Sequence, residues 1–283
     1  MEFVLEVRPP KGERFYAPLP VSGTLTVGRE APADLVVPDR FLSRTHFQIL
    51  CQDMIHIFTD PGSSNGTYLN GVRLRQAVLK PRDAIFAGRT AFRIAAVING
   101  KVLLDSLPES LGELLPWQSR LIAAVEAASN FVVLDGAVTP AVRDLLNQAG
   151  VFYQSLYEGE QAADLAVNGP YLVEIEKGGK MLPFLLKVGW GNSWGIFLST
   201  KMDFAETRKH LRHFLIVDLE GGQKVLFRFY DPRVMRVFLP TCNAEQRKEF
   251  FGQIEQILVE SEGKTAVIRY SLGSDEEYQL ESL

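Results

Sequence analysis

Four short groups of residues near the start of the chain have types and spacing that could do chemistry together. They are Gly28-Arg29, Ser43-Arg44-Thr45-His46, Ser64-Asn65-Gly66-Thr67 and Asn70-Gly71. A phosphoryl group carries about −1.5 to −2 charges and three strong acceptor oxygens. Holding it takes a guanidinium, a hydroxyl and backbone N–H donors on a preformed loop. Arg29, Arg44 and Ser43 are hard to explain as scaffold alone, whereas the Asn-Gly pairs favour positive φ and tight turns. The charge distribution agrees: residues 1–98 carry +3 and residues 99–283 carry −7, so the first segment attracts an anion.

The second half offers weaker signals. Gly191-Asn192-Ser193-Trp194-Gly195 fits Gly-x-Ser-x-Gly, but the residues after it read as a strand where a nucleophile elbow needs a helix. The later histidines, His210 and His213, follow too soon to close that architecture, and a turn of packed Gly and Trp is expected instead. Gly178-Gly179-Lys180 lacks the rest of a phosphate loop. His210 and His213 read as one helix face, not a metal pair, and no metal or other cofactor is expected. Cys242 stands before a helix start, where a thiol pKa can fall, but it reads as an ordinary small residue.

The elements that must carry these groups change character near residue 98. Runs such as Phe3–Val7, Leu25–Val27, His46–Leu50, Ile55–Phe58 and Ala91–Val97 predict short strands separated by turn residues, hence an all-β sandwich or barrel. Residues 99–116 read as a linker. Helix and strand signals then alternate. Helices are expected at Trp117–Ala128, after Thr139-Pro140 to about Gly150, after Asp203 to about His213, and from Asn243 through Leu258. Strands are expected at Phe131–Leu134, Tyr171–Ile175, Gly195–Leu198, Phe214–Leu219 and Val225–Tyr230, the last pair around a Glu220-Gly221-Gly222 turn. The expected fold is multidomain: a β-sandwich over 1–98, a linker over 99–116, a mixed α/β domain over 117–261, and a mobile acidic tail over 262–283.

Composition bounds the class. The 283 residues are 46% hydrophobic and 23% charged, enough for a core in each half. No apolar run approaches the ~18 residues of a membrane span. The first residues lack a secretory signal. Two distant cysteines exclude a disulfide scaffold and point to a reducing cytosol. A net charge of −4 argues against nucleic-acid binding.

The N-terminal groups, closed by Gly88 and Phe92, closely resemble the forkhead-associated (FHA) domain. The resemblance implies a β-sandwich with its loops gathered at one end and a phosphothreonine site there. It implies that Ser43 and Arg44 contact the phosphate and that Arg29 and Asn65 grip the peptide main chain. His46 becomes a buttress for the Ser43 loop, with Ser64, Thr67 and Asn70 in support. In the second half, Val225-Leu226-Phe227-Arg228-Phe229-Tyr230-Asp231-Pro232-Arg233-Val234, with His210–Leu215 and Trp194-Gly195, resembles the adaptor (chaperone) proteins of type VI secretion effectors. That resemblance implies a non-enzymatic protein whose partners are a toxin effector and the valine–glycine-repeat (VgrG) spike. Read as a strand, Phe227 and Phe229 share one face and Arg228 and Tyr230 the other, and Pro232 stops the strand. Arg228 should pair with a carboxylate and Asp231 and Arg233 should brace the turn; the alternative role of all three, Arg228, Asp231 and Arg233, is to add to an effector surface. The alternative is a phosphothreonine-dependent regulator of secretion assembly, its α/β domain passive. An enzyme with Ser193 as nucleophile is the least favoured reading.

Overall fold

The computed structural model describes residues 2–52, 55–80, 83–98, 101–103, 112–158, 165, 168–218 and 222–279. They form two units: Met1–Ser106 with Leu146–Gln154, and Leu107–Leu145 with Ser155–Leu283.

Twelve strands build the first unit. They are β1 (Glu2–Arg8), β2 (Phe15–Pro18), β3 (Gly23–Gly28), β4 (Leu35–Val36), β5 (Phe47–Gln52), β6 (Ile55–Thr59), β7 (Thr67–Leu69), β8 (Val72–Arg73), β9 (Gln76–Leu79), β10 (Ala84–Ala87), β11 (Thr90–Ile98) and β12 (Lys101–Leu103). One sheet runs β2-β1-β11-β10-β7-β8, with β12 against β11; the other runs β4-β3-β5-β6-β9. Period-two alternation sends Phe47, Ile49 and Cys51 of β5 inward and Gln48, Leu50 and Gln52 outward. Leu5, Val7 and Phe92 of the first sheet close on Val27, Phe47 and Phe58 of the second. The Phe47 and Phe92 rings meet edge to face at 5.0 Å. This is the expected all-β sandwich.

Two boundaries differ from expectation. Residues 101–103, expected as linker, extend the first sheet as β12; residues 104–111 lie outside the described residues. Residues 146–154, expected within the second domain, pack with the first unit. Arg93 and Arg8 donate to the carbonyls of Asn147 and Ala149 at 2.9 and 2.7 Å. Phe86 meets both Phe152 and Tyr153 edge-on. Arg93 can be buried there because Glu6, directly across the strand pair, lies 2.7 Å from its guanidinium.

The elements after residue 115 are α1 (Pro116–Ala128), β13 (Phe131–Asp135), α2 (Ala141–Ala149), β14 (Tyr153–Ser155), β15 (Pro170–Glu174), α3 (Met181–Gly189), β16 (Gly195–Thr200), α4 (Phe204–His213), β17 (Ile216–Asp218), β18 (Lys224–Leu226), α5 (Pro232–Thr241), α6 (Ala244–Phe251), β19 (Ile254–Glu260), β20 (Ala266–Ser271) and β21 (Asp275–Gln279); all belong to the second unit except the end of α2 and the start of β14, which fall in the 146–154 segment of the first. The main sheet among these elements runs β14-β15-β13-β16-β19-β20-β21, and β17-β18 form a separate ribbon. The mixed α/β class holds. The capping boxes read at Asp203/Glu206 and Asn243/Gln246 open α4 and α6.

Three expectations fail here. The helix begun at Asn243 does not reach Leu258. Gly252, at φ 53°, ends it, and Ile254–Glu260 is a central strand whose apolar residues had mimicked a helix face. Residues 262–283 are not a tail, because β20 and β21 complete the sheet; residues 280–283 lie outside the described residues. The strand at Val225–Tyr230 stops at Leu226, and Pro232 does not end a strand but opens α5 at its first turn, with Asp231 as N-cap. Phe229 and Tyr230 are therefore both buried, instead of facing opposite sides. Glu220 and Gly221 lie outside the described residues.

Asp231 thus has two tasks. Its carboxylate accepts the Arg233 N–H at 2.9 Å as a helix cap, and it takes the Arg233 guanidinium at 2.7 Å. Burial opposes its charge, but the bonds from Arg233 outweigh burial and hold the carboxyl below its usual range. Arg228 bridges Asp231 to the buried Asp135, which it contacts directly. Asp231→Ala should destabilise the unit by about 2–4 kcal/mol in urea unfolding, and Asp231→Asn, which keeps the cap, by roughly half as much.

Candidate functional site at the loop end of the sandwich

Three loops of the first unit meet at one end: β3–β4, β4–β5 and β6–β7. They enclose a groove of about 710 Å³ lined by Arg29, Arg40, Phe41, Ser43, Arg44 and Asn65 among others, with no acidic side chain in the lining. Arg29 and Arg44 are exposed, and Arg29 also lies 3.6 Å from Glu30. Arg44 has no carboxylate partner among the described residues. The groove therefore holds positive charge open to solvent.

The loops are held in place by close approach and by buried polar side chains. A Cβ on Gly28 would stand 1.8 Å from the Arg44 carbonyl oxygen, so only glycine lets β3 pass under the Ser43-Arg44 loop. The Arg29 N–H then donates to the Ser43 carbonyl at 3.1 Å. His46 is fully buried beneath the groove. Its Nδ1 accepts the Ser43 N–H at 2.9 Å, which fixes Nε2 as the protonated nitrogen facing the Gly66 carbonyl at 3.2 Å. The Ser64 N–H donates to the Ser43 Oγ at 3.1 Å, leaving the Ser43 hydroxyl proton to donate elsewhere. Asn65 Nδ2 donates to the Phe41 carbonyl at 2.7 Å, so its carbonyl oxygen can accept from a peptide N–H.

Ser43, Arg44, Arg29, Asn65 and Ser64 thus line one groove, with His46 beneath the Ser43 loop. Thr67 and Asn70 lie away from the groove. Thr67 donates to Asp60 at 2.9 Å. Asn70, at φ 50°, shapes the β7–β8 turn and donates to Asp83 at 2.7 Å. Arg228, Asp231 and Arg233 form the cluster in the second unit described above.

Sequence reasoning missed two buried carboxylates and an aromatic. Asp60 accepts the N–H groups of Gly62 and Ser63 and the hydroxyls of Ser63 and Thr67, closing the β6–β7 loop. Burial alone would raise its pKa, but these bonds outweigh it and lower it. Asp39 accepts from the Phe41 and Arg89 N–H groups and the Thr90 hydroxyl, tying the β4–β5 loop to the β10–β11 turn. Phe41 carries the guanidiniums of Arg40 and Arg89 at 4.8 and 4.5 Å from its ring centre. A short side chain at a turn, as in Asp60-Pro61-Gly62, was the available signal, but its burial was not written in the sequence.

Elsewhere, Ser193 is not arranged as a nucleophile. It follows helix α3 and precedes strand β16, the reverse of an elbow, and its hydroxyl donates to the buried Glu260 at 3.1 Å. Among the described residues, no three His, Cys, Asp or Glu side chains gather as metal ligands, and no helix is long and apolar enough to cross a membrane.

The FHA domain family matches residues 25–88, and the first unit is an FHA domain. A family described as a domain of unknown function, DUF4123, matches residues 130–249. An oxoglutarate dehydrogenase inhibitor of Corynebacterium diphtheriae is 33% identical over 94 residues. Those residues are 33% of this chain, and the match spans 62% of that relative. Among solved structures, the FHA domain of the CT664 protein of Chlamydia trachomatis is 27% identical, covering 35% of this chain and all of that one, with a TM-score of 0.33. Mycobacterium tuberculosis EmbR, in complex with a low-affinity phosphopeptide, is 24% identical over 32% of this chain and 24% of its own, with a TM-score of 0.28. An FHA domain from Arabidopsis thaliana is 26% identical over 33% of this chain and 83% of its own, with a TM-score of 0.29.

The doubly bonded His46 makes the site sensitive to acid. Burial, opposed by the Gly66 bond and by Asp60 and Asp39, leaves its pKa below 6.5. The unfolded chain therefore binds a proton more readily than the folded one. The stability that His46 contributes is complete above about pH 6.5 and is lost as pH falls through the lowered folded value. His56, also lowered by burial, adds the same sign. Denaturant unfolding from pH 7.5 to 5 should show falling stability, with a shallower fall in His46→Ala. Stability is the right readout, because a bound phosphate titrates near pH 6 itself.

Proposed function

We propose that this chain is a bacterial cytoplasmic adaptor of a type VI secretion machine. Its second unit binds a toxin effector and helps to load it on the VgrG spike, and its FHA groove takes a phosphothreonine. FHA domains bind phosphothreonine-containing proteins, and the phosphopeptide half of this reading rests on one observation. Arg29, Arg44 and the donating Ser43 hydroxyl line a groove without acids, beside an Asn65 free to accept from a peptide. Such a site binds and does not transform its ligand. The adaptor half rests on the likeness of residues 130–249 to DUF4123 and on the Phe227–Val234 string, which folds into the Asp231-centred cluster. Beside that string, the β17–β18 ribbon exposes the paired Ile216 and Leu226, apolar surface of the kind that marks a protein partner. A binding protein is favoured over an enzyme because the Ser193 hydroxyl is engaged by Glu260.

A phosphothreonine peptide should bind, and its unphosphorylated form should not. Arg44→Ala should weaken binding at least about tenfold and Ser43→Ala severalfold, by fluorescence anisotropy, since bonds to charged groups contribute about 1.5–3 kcal/mol. Partners captured on the full chain in its native bacterium decide the rest. A toxin effector that stays bound after phosphatase treatment and with Arg44→Ala supports the adaptor. A partner lost in both cases supports the phosphothreonine-dependent regulator instead. Capture of neither effector nor spike overturns the adaptor reading.

A further inference from the structure

Two exposed guanidiniums stand together at the groove with no acid to share. Arg40 and Arg89 both pack on the Phe41 ring, 4.8 and 4.5 Å from its centre. They are therefore less than about 10 Å apart, one Debye length at 0.1 M salt, and repel each other. Neither has a carboxylate partner among the described residues. The buried Asp39 sets their spacing. Its carboxylate takes the Phe41 and Arg89 N–H groups at 2.9 and 2.6 Å and the Thr90 hydroxyl at 3.0 Å. One carboxylate thus fixes the backbone of both turns that present the guanidiniums, while its own oxygens are filled by those donors. A single phosphoryl group does not account for the pair. Its charge of about −1.5 to −2 is met by Arg44, Arg29 and the Ser43 hydroxyl. Arg40 and Arg89 are left over.

We propose that the Arg40–Phe41–Arg89 stack is a second anion subsite, and that the peptide taken by this groove carries a second negative group near its phosphothreonine. The inference rests on the phosphothreonine reading and names the class of peptide within it. An anion held by both guanidiniums relieves their repulsion. It also meets donors that the ring and Asp39 have already placed, so little freedom is lost on binding. The two subsites are joined by the groove itself. Asn65 donates to the Phe41 carbonyl at 2.7 Å, so a peptide N–H accepted by the Asn65 oxygen passes beside Phe41. Phe41 precedes Arg44 by three residues, at most about 11 Å of extended chain. A peptide lying along the groove covers that in three or four residues. The second group is an acidic side chain or a second phosphate; both offer paired oxygens that a guanidinium fork matches.

Fluorescence anisotropy on the full chain tests the proposal with a family of phosphothreonine peptides. The parent has uncharged flanks. In its relatives a single Asp, or a second phosphothreonine, stands in turn at each of the four positions on either side. At least one relative should bind about three- to tenfold tighter than the parent. That ratio should fall toward one in Arg40→Ala and in Arg89→Ala, each shown folded by circular dichroism. It should persist in Lys80→Ala, which removes an equal charge elsewhere: Leu79 pairs with His56 near the start of β6, whereas the groove loop follows Thr59 at its end. A larger gain from the second phosphate assigns the subsite to doubly phosphorylated partners, and an equal gain from Asp assigns it to acidic sequence; both support it. A parent that binds while no relative binds tighter overturns the subsite and leaves the phosphothreonine reading standing. So does a gain that survives in either arginine variant, or one that falls equally in Lys80→Ala. Failure of every phosphopeptide to bind overturns the phosphothreonine reading and the subsite together.

Discussion

A single imidazole joins the two loops that carry the groove's donors. His46 takes the Ser43 N–H on one nitrogen and faces the Gly66 carbonyl with the other. Both bonds need a neutral ring in one tautomer, and burial keeps it so. From that bridge the rest of the site follows. Ser43 is aimed, Ser64 meets its hydroxyl, and Asn65 spans to Phe41. Gly28 completes the arrangement by having no side chain to push the Arg44 carbonyl away.

Both units use buried carboxylates to end irregular segments. Asp39 and Asp60 each gather several N–H and hydroxyl donors and so fix loops that have few backbone bonds of their own. Asp231 and Asp135 do similar work around Arg228, where a short turn becomes the start of α5. At Asp60 and Asp231 burial disfavours the charge, and nearby donors outweigh it. Loops built this way are ordered before a ligand arrives, which lowers the entropy lost on binding.

Much of the FHA unit was legible because its strands are short, alternate cleanly and are separated by turn residues. Arg29, Ser43 and Arg44 stood out because they are hard to justify as scaffold, whereas Asn65, one of two Asn-Gly turn pairs, was marked only by the resemblance to the FHA domain. Asp39 and Asp60 were not, because a turn aspartate and a buried anchoring aspartate look the same until the fold sets their exposure. In the second unit, side-chain caps marked α4 and α6 well, but the pattern beyond Phe251 misled. Phe250, Phe251, Ile254, Ile257 and Leu258 fit a helical period, and only the positive φ at Gly252 separates helix from strand. Helix α5 was hidden because Pro232 reads equally as a strand stop and a first-turn residue. Residues 266–279 looked like tail because β21 is acidic and mostly exposed, a composition that suits the last strand of a sheet as well as a loose end.

The place of β19 in its sheet bears on how this protein can be cut. β19 lies between β16 and β20, and Ile257, Leu258 and Val259 are nearly fully buried there. A fragment stopped at the boundary that the sequence invites, near residue 261, keeps β19 but loses the strand that satisfies its far side. Five register pairs, from Gln256–Ser271 to Glu260–Val267, would be left as bare backbone donors and acceptors beside an apolar strand. Such an edge is a template for other chains. The shortened protein would be lost to aggregation with every residue of the second family match still present, and its failure would say nothing about the partner that unit serves.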